Sequence, residues 1–465
     1  MALIKSISGI RGTIGGKPGE ALTPEDVTRF AAAYGTWVKS AGGTKVVIGR
    51  DARVSGKMVS NIVASVLSAI GLDVIDLGLS TTPTVEMAVP EEAADGGIII
   101  TASHNPGQWN ALKLLNHLGE FISDEEGLHI QKLAEEGNFE YVPVEKLGRI
   151  RKSKDQLERH IKNILKHPLV DRRAIRKAGF RIAIDAVNST GGIAVPMLLD
   201  SLGVKKIKKI NCKPNGKFAH NPEPLPENLQ EICNVLESGK FDLGIVVDPD
   251  VDRLVLICED GCPFGEEYTL VMAADYVLSR YTGEKTATVS NLSSTRALRD
   301  LTEKYGHEWH AAAVGEVNVV SRMKETEAMI GGEGNGGVIL PDLHYGRDAL
   351  MGIALVLSHL ARSEKSLSEV RASYPQYHIS KNKISLSAEI DVDRILKEVK
   401  DKYAAEQINL TDGVRIDFEE KREWVHLRKS NTEPIVRIIA EAPNEKRAKE
   451  LAEQLLNDIK KISKR

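Results

Sequence analysis

The chain is poor in cysteine, in aromatic residues, in net charge and in long apolar runs, and each shortage removes a class of protein. The four cysteines among 465 residues, Cys212, Cys233, Cys258 and Cys262, are too few and too unevenly spaced for a disulfide framework. Cys258 and Cys262 stand four apart with no second Cys or His pair beside them, so reduced, buried thiols are expected rather than a zinc site. The 62 Lys and Arg against 65 Asp and Glu leave a net charge of −3, which gives no global basic field to draw nucleic acid or an anionic membrane. The longest apolar stretch, residues 349–357, has helical period and is far too short to span a bilayer. The opening MALIKSISGIRG has neither the apolar core nor the cleavage site of a signal peptide. A cytoplasmic protein with no nucleic-acid or membrane partner is expected.

What is present is an ordinary globular composition, 42% apolar and 27% charged, over a length that allows roughly three domains. Thr23-Pro24-Glu25-Asp26 reads as a helix start, with a capping hydroxyl, Pro in the first turn and acids facing the dipole. Short apolar runs at 45–49, 73–78 and 97–101 alternate with helical patterns, and the alternation returns over 181–247 and again over 269–330. After residue 410 the pattern changes to strands at 414–418, 424–428 and 435–441, joined without helices and followed by an amphipathic helix at 444–462. The fold class expected is α/β, with three similar α/β domains of mixed, mostly parallel sheets and a C-terminal α+β domain. The boundaries fall at 1–150, 151–255, 256–370 and 371–465. The charged stretch 381–401 reads as a linker and a solvated helix face.

Four segments carry chemistry. An apolar strand ending in Thr101-Ala102-Ser103-His104-Asn105-Pro106 delivers Ser103 to its C-terminal edge, where open α/β sheets place their sites. A Ser103–His104 hydrolase dyad is disfavoured, because neighbours on a strand face opposite ways and no G-x-S-x-G elbow is present; a structural turn with a capping Ser remains open. Asp248-Pro249-Asp250-Val251-Asp252-Arg253 crowds three carboxylates at the end of another apolar strand. Such acids repel unless a cation sits among them, and hard oxygen ligands suit Mg²⁺; a solvated acidic turn is the alternative. Arg253 beside them implies that an anion is held there too. Residues 428–437 set Arg428, Lys429, Ser430, Asn431, Thr432 and Arg437 between and on two strands, a set of donors fit for phosphate oxygens or simply a surface turn. Five glycines in residues 331–337 allow close backbone approach to a ligand, with Glu333 and Asn335 able to meet sugar hydroxyls or an amine.

Taken together with Ser8-Gly9-Ile10-Arg11-Gly12, Gly49-Arg50-Asp51-Ala52-Arg53, Pro222-Glu223-Pro224 and Glu227-Asn228-Leu229, these segments resemble the signature segments of the α-D-phosphohexomutase family, in order and across the whole chain. The resemblance implies four domains around a central cleft, the last one binding phosphate. It implies that Ser103 carries a phosphoryl group in the resting enzyme. Asp248, Asp250 and Asp252, with that phosphoserine, would hold one Mg²⁺ per chain. Arg11 and Lys113 match basic residues near the transferring phosphate that serve proton transfer, and His104 a supporting residue. Arg253, Glu333, Asn335 and Arg347 fall to the substrate, and Arg428, Ser430, Asn431, Thr432 and Arg437 to the phosphate that is not reacting.

Two departures stand out. The sugar loop of many members reads Glu, any residue, Ser, Gly, His, whereas here Asn335 replaces the serine and Gly337 the histidine, with His344 a candidate substitute. Pro249 stands where glycine is usual. The glycine-rich loop followed by His344-Tyr345-Gly346-Arg347-Asp348-Ala349 looks most like the archaeal-type phosphoglucosamine mutase branch. That likeness implies interconversion of glucosamine 6-phosphate and 1-phosphate through a hexose 1,6-bisphosphate, by a monomer or homodimer whose partners are sugar phosphates. The alternatives are a phosphoglucomutase/phosphomannomutase, an inactive sugar-phosphate sensor and a phosphoserine hydrolase.

Overall fold

The computed structural model describes residues 2–6, 9–385, 392–429 and 435–462. It divides into two compact units, Met1–Thr269 with Gly336–Ser368, and Leu270–Asn335 with Glu369–Arg465.

The first unit holds two sheets. One runs in the order Leu3–Ser6, Gly9–Thr13, Trp109–Leu115, Gly97–Ile100, Lys45–Arg50, Asp73–Leu79, Ile150–Lys152. Its central strands are covered on both faces, which is why they read as unbroken apolar runs. Val46, Ile48, Ile98 and Ile100 pack with Tyr34, Val63 and Leu67 on one side, and Val47, Ile75 and Ile99 with Val85, Ala88 and Val89 on the other. The helix Pro24–Ser40 starts as its sequence indicates: Thr23 and Asp26 form a reciprocal capping box. The second sheet runs Leu254–Cys258, Leu243–Val247, Arg181–Asp185, Lys206–Ile210. The helix Ala349–Ser363 is buried along most of its length, which explains its long apolar stretch.

Parallel pairing joins Lys45–Arg50 to both of its neighbours, as the helical crossovers require. The N-terminal hairpin and the antiparallel returns Trp109–Leu115 and Leu254–Cys258 were not signalled by periodicity. Antiparallel pairing lets each turn back beside its neighbour with no helix to cross.

In the second unit, Glu308–Ala312, Ala287–Asn291 and Ile330–Glu333 pair in parallel. A five-stranded antiparallel sheet runs His378–Ser385, Ile435–Ala442, Glu423–Lys429, Val414–Phe418, Gln407–Asn409. The helices Val392–Lys402 and Glu445–Ile462 join its core through Ile395, Val399, Leu451 and Leu455. This corrects the reading of 381–401 as linker and solvated helix. Residues 381–385 belong to an edge strand whose Lys381 and Lys383 point to solvent, as edge strands commonly do, and the helix buries Ile395 and Val399. Residues 386–391 lie outside the described residues. A second correction concerns the thiols: all four cysteines are free, but only Cys233 and Cys258 are buried, and Cys262 is exposed in the turn after its strand. Among the described residues no helix is long and apolar enough to cross a membrane.

Candidate active site

The strand Gly97–Ile100 stops short of Ser103, and the intervening turn sets the serine's direction. Thr101 Oγ1 accepts from the Ser103 amide at 2.9 Å and donates to Asp51 Oδ2 at 2.7 Å. Ser103 itself has φ 46°, left-handed backbone that costs a non-glycine residue about 1–2 kcal/mol. Arg53, 1% exposed, offsets that strain from below. Its guanidinium donates to the carbonyls of Ser103, Asn105, Pro106 and Trp109 and to the Asp51 carboxylate. The Ser103 hydroxyl then donates to Asp248 Oδ2 at 2.7 Å, with His104 Nδ1 3.4 Å away. The expectation that Ser103 and His104 face apart is therefore corrected: the strand has ended, and the left-handed residue turns both toward one place. Burial, then the charge of Arg253, pushes the His104 imidazole down to about 2, so it stays neutral.

Asp248, Asp250 and Asp252 are fully buried, and each offers an oxygen within 4.8 Å of the others. The solvated acidic turn is thereby excluded. Val251 adopts φ 64°, which doubles the chain back so that the Asp252 and Arg253 amides both reach Asp248 Oδ1 at 3.2 Å. Ser189 and Thr190 hold the Pro249 carbonyl with their hydroxyls, and Thr82 donates to Asp250 Oδ2 at 2.7 Å. Lys113 Nζ lies 2.8 Å from Asp250 and 3.4 Å from Asp252, and Arg347 pairs with Asp252 Oδ2 at 2.7 Å. Arg253 Nε sits farther out, 4.0 Å from Asp252 Oδ1. Burial raises the Asp248 carboxyl well above its usual range, reinforced by Asp252 and Asp250. Burial would raise Asp250 as well, but the Lys113 ammonium outweighs it and holds Asp250 low. Asp250 Oδ1 and Asp252 Oδ1 are buried without a hydrogen bond. Two orphaned anionic oxygens beside a third carboxylate and a serine hydroxyl suit a hard divalent cation such as Mg²⁺.

Arg11 and Lys113 come from adjacent antiparallel strands, with Gly9 opposite Lys113 and Arg11 opposite Ala111. That register places both side chains on one face. Gly9, at φ 138°, is required there, since a Cβ would stand 1.9 Å from the Leu112 carbonyl. Arg11 Nη1 reaches Asn105 Oδ1 at 3.4 Å, and burial lowers its guanidinium from its ordinary value.

The second unit holds Glu333, Asn335, Arg428 and Arg437. Glu333, buried, accepts from Asn291 Nδ2 at 2.7 Å and from the Gly315 amide at 3.1 Å through Oε1, and Asn335 Nδ2 lies 3.4 Å from Oε2. The glycine run is more structural than expected: a Cβ at Gly331 would stand 2.5 Å from Met323 Sδ and 2.8 Å from the Val289 carbonyl. Arg428 and Arg437 are direct cross-strand partners, and Arg428 Nε is 3.2 Å from Asp412 Oδ2. Ser430, Asn431 and Thr432 lie outside the described residues, as does Ser8. In the first unit, His344 Nδ1 stands 3.5 Å from Glu86 and its Nε2 3.5 Å from Asp348. The serine loop's dependence on Arg53 and Thr101, and Glu333's on Asn291, were missed. The sequence signals were the nearness of Asp51 and Arg53 to an apolar strand end and the place of 49–53 among the family-like segments.

Profiles of phosphoglucomutase/phosphomannomutase match the chain in four segments: alpha/beta/alpha domain I at residues 3–141, domain II at 158–261, domain III at 265–377 and the C-terminal domain at 383–458. A phosphoglucomutase/phosphomannomutase of Thermococcus kodakarensis is 36% identical over 95% of this chain and 96% of its own. A phosphoglucosamine/phosphogalactosamine mutase of Sulfurisphaera tokodaii is 32% identical over 99% of each. The crystal structure of a phosphoglucomutase/phosphomannomutase family protein from Burkholderia thailandensis shares the fold, with a TM-score of 0.81 and 24% identity over 99% of this chain and 98% of that one. A buried serine bonded to one member of an aspartate triad, within a chain matched nearly from end to end, leads to one conclusion: this chain belongs to the α-D-phosphohexomutase family and is a phosphohexomutase.

Proposed function

We propose that the enzyme interconverts glucosamine 6-phosphate and glucosamine 1-phosphate, with Ser103 as the phosphoryl carrier. The observation that carries the reading is the hydrogen bond from Ser103 Oγ to Asp248 Oδ2, which sets the nucleophile at the edge of a buried acidic triad. In the first half reaction the bond from Ser103 Oγ to phosphorus breaks and one from a sugar hydroxyl oxygen forms, giving a 1,6-bisphosphate. That hydroxyl's proton is delivered, net, to Ser103 Oγ as the serine hydroxyl re-forms, beside Arg11 and Lys113, the basic residues that the family resemblance ties to proton transfer. The bisphosphate turns around and its other phosphoryl group returns to Ser103. Asp248, Asp250 and Asp252 with the phosphoserine would hold Mg²⁺, which when bound supplies charge stabilisation to the transferring group. Lys113, Arg11 and Arg253 add fixed positive charge around it.

The non-reacting phosphate falls to the C-terminal domain. Arg428 lies directly opposite Arg437, with Asp412 beside Arg428; the two guanidinium groups offer forked donors to a phosphate, and Ser430, Asn431 and Thr432 complete the proposed grip. Glu333 with Asn335 presents acceptors, which suit an ammonium at C2 over a hydroxyl. Four domains divided near 150, 255 and 370, a cytoplasmic setting, and a hexose 1,6-bisphosphate as intermediate and activator belong to the same reading. The 36% identical Thermococcus relative supports the alternative, a phosphoglucomutase/phosphomannomutase. A turnover panel with glucosamine, glucose, mannose and N-acetylglucosamine phosphates separates them. The highest kcat/KM on glucosamine phosphate is expected; a clear preference for glucose or mannose phosphate would install the alternative.

A further inference from the structure

Apart from the aspartate triad, the described residues contain one other cluster with ligand atoms in metal-binding proximity: His160, His344 and Asp348, all within the first unit. Both rings present Nε2 to the same oxygen, with His160 Nε2 2.9 Å and His344 Nε2 3.5 Å from Asp348 Oδ2. The ring planes are perpendicular, so the two nitrogens converge from different directions. Each opposite ring nitrogen faces an outer partner: His160 Nδ1 has the Thr84 hydroxyl at 3.0 Å and His344 Nδ1 the Glu86 carboxylate at 3.5 Å. Asp348 uses its other oxygen, Oδ1, to cap the helix Ala349–Ser363 through the Leu350 amide at 2.8 Å, which fixes Oδ2 toward the histidines. His160 and Asp348 are each 1% exposed. His344 Nε2 is buried and makes no hydrogen bond of normal geometry.

Two imidazole nitrogens and one carboxylate oxygen, with outer acceptors on the far ring nitrogens, are the arrangement by which proteins orient histidine ligands to a transition metal. Gly346 adds a structural argument, since a Cβ there would stand 2.0 Å from Glu86 Oε2 and 2.9 Å from the His344 ring. The loop thus leaves room for Glu86 to back the histidine. A cavity of about 380 Å³, lined by Glu86, Glu120, Asn163, His344 and Tyr345 among others, opens beside the His344 ring.

We propose that His160, His344 and Asp348 form a second metal site, selective for Zn²⁺ over Mg²⁺ and distinct from the aspartate triad. The donor set decides the ion: imidazole suits Zn²⁺, whereas the all-oxygen triad suits Mg²⁺. Bound there, Zn²⁺ ties the helix Gln156–Lys166 to the loop ahead of Ala349–Ser363, the loop that delivers Arg347 to Asp252.

The test uses the full chain, stripped with chelator and titrated with Co²⁺, as a visible stand-in for Zn²⁺, in excess Mg²⁺ to fill the triad. One Co²⁺ per chain is expected, with the intense d–d absorption of low-coordinate, nitrogen-bound cobalt, bleached by Zn²⁺. His344→Ala and His160→Gln should abolish that absorption, Asp250→Asn should leave it, and Glu86→Gln should weaken Co²⁺ binding about 10–100-fold, as loss of an outer partner does. If His160→Gln fails to fold by circular dichroism, the partly exposed His344 decides the matter through His344→Ala. No such absorption in wild type, or the same absorption in folded His344→Ala, would overturn the proposal.

Discussion

Arg53 donates a hydrogen bond to the backbone carbonyl of Ser103, 50 residues further along the chain. The same guanidinium satisfies three more carbonyls of the serine loop, those of Asn105, Pro106 and Trp109. Its remaining bond, from Nε, neutralises Asp51, itself completely buried. The loop therefore owes its shape to a buried cation rather than to regular structure, and Phe218 covers that cation at 5.0 Å from the ring centre.

Arg53→Ala should cost about 3–5 kcal/mol of stability, because Asp51 is left buried and uncompensated. Arg53→Lys should recover only part of this, since an ammonium lacks the planar fork that reaches several carbonyls at once. Denaturant unfolding of the two variants against wild type checks the order. Equal stability of all three would show that the clasp is dispensable.

Much of the site's skeleton is legible in the sequence. The strand Leu243–Val247 begins and ends where its apolar run does, and the three aspartates follow it because a buried strand of that kind must surface at an edge. The capping box at Thr23 and Asp26 is equally local. What could not be read is what joins distant segments. His160 and Asp348 meet across 188 positions, and nothing in the helical pattern around His160 marks it off from any half-buried histidine. The φ of 46° at Ser103 belongs to a residue type with no preference for left-handed backbone, so only the surrounding bonds from Thr101 and Arg53 enforce it. The charged run near 381–401 misled for another reason: an edge strand and an amphipathic helix both show solvent a charged face, and composition alone hides the apolar stripe of Ile395 and Val399.

Arg428→Ala should weaken sugar-phosphate binding by about 1.5–3 kcal/mol, the worth of a hydrogen bond to a charged group, with Mg²⁺ affinity unchanged. Calorimetric titration with substrate and with Mg²⁺ measures both. Loss of metal binding with substrate binding intact would contradict the assignment of this strand pair to phosphate.

Glu333→Gln keeps an acceptor for Asn291 and Gly315 but removes the carboxylate charge. On the glucosamine reading it should lower kcat/KM for glucosamine phosphate about tenfold more than for glucose phosphate, a difference worth about 1.4 kcal/mol. Equal losses on both sugars would remove Glu333 from amine selection.

Glu441 is fully buried, and burial pushes its carboxyl up to about 7 despite bonds from Thr295, the Arg296 amide and Trp424. In the folded protein it holds a proton that the unfolded chain releases near pH 4.5. Stability should therefore fall as pH rises from about 4.5 to 7, by roughly 3 kcal/mol from this group, and level off above. Glu441→Gln should flatten that slope in the second unit's unfolding, followed by the Trp424 fluorescence change across a pH series. A slope unchanged by the substitution would assign the pH dependence elsewhere.

The central claim is that Ser103 carries the phosphoryl group, and intact-mass spectrometry after incubation with glucose 1,6-bisphosphate and Mg²⁺ tests it most directly. Wild type should gain the mass of a single phosphoryl group and pass it on when sugar monophosphate is added, while Ser103→Ala should gain none and lose mutase activity. Phosphorylation of Ser103→Ala at the wild-type level, or full turnover by that variant, would contradict the account.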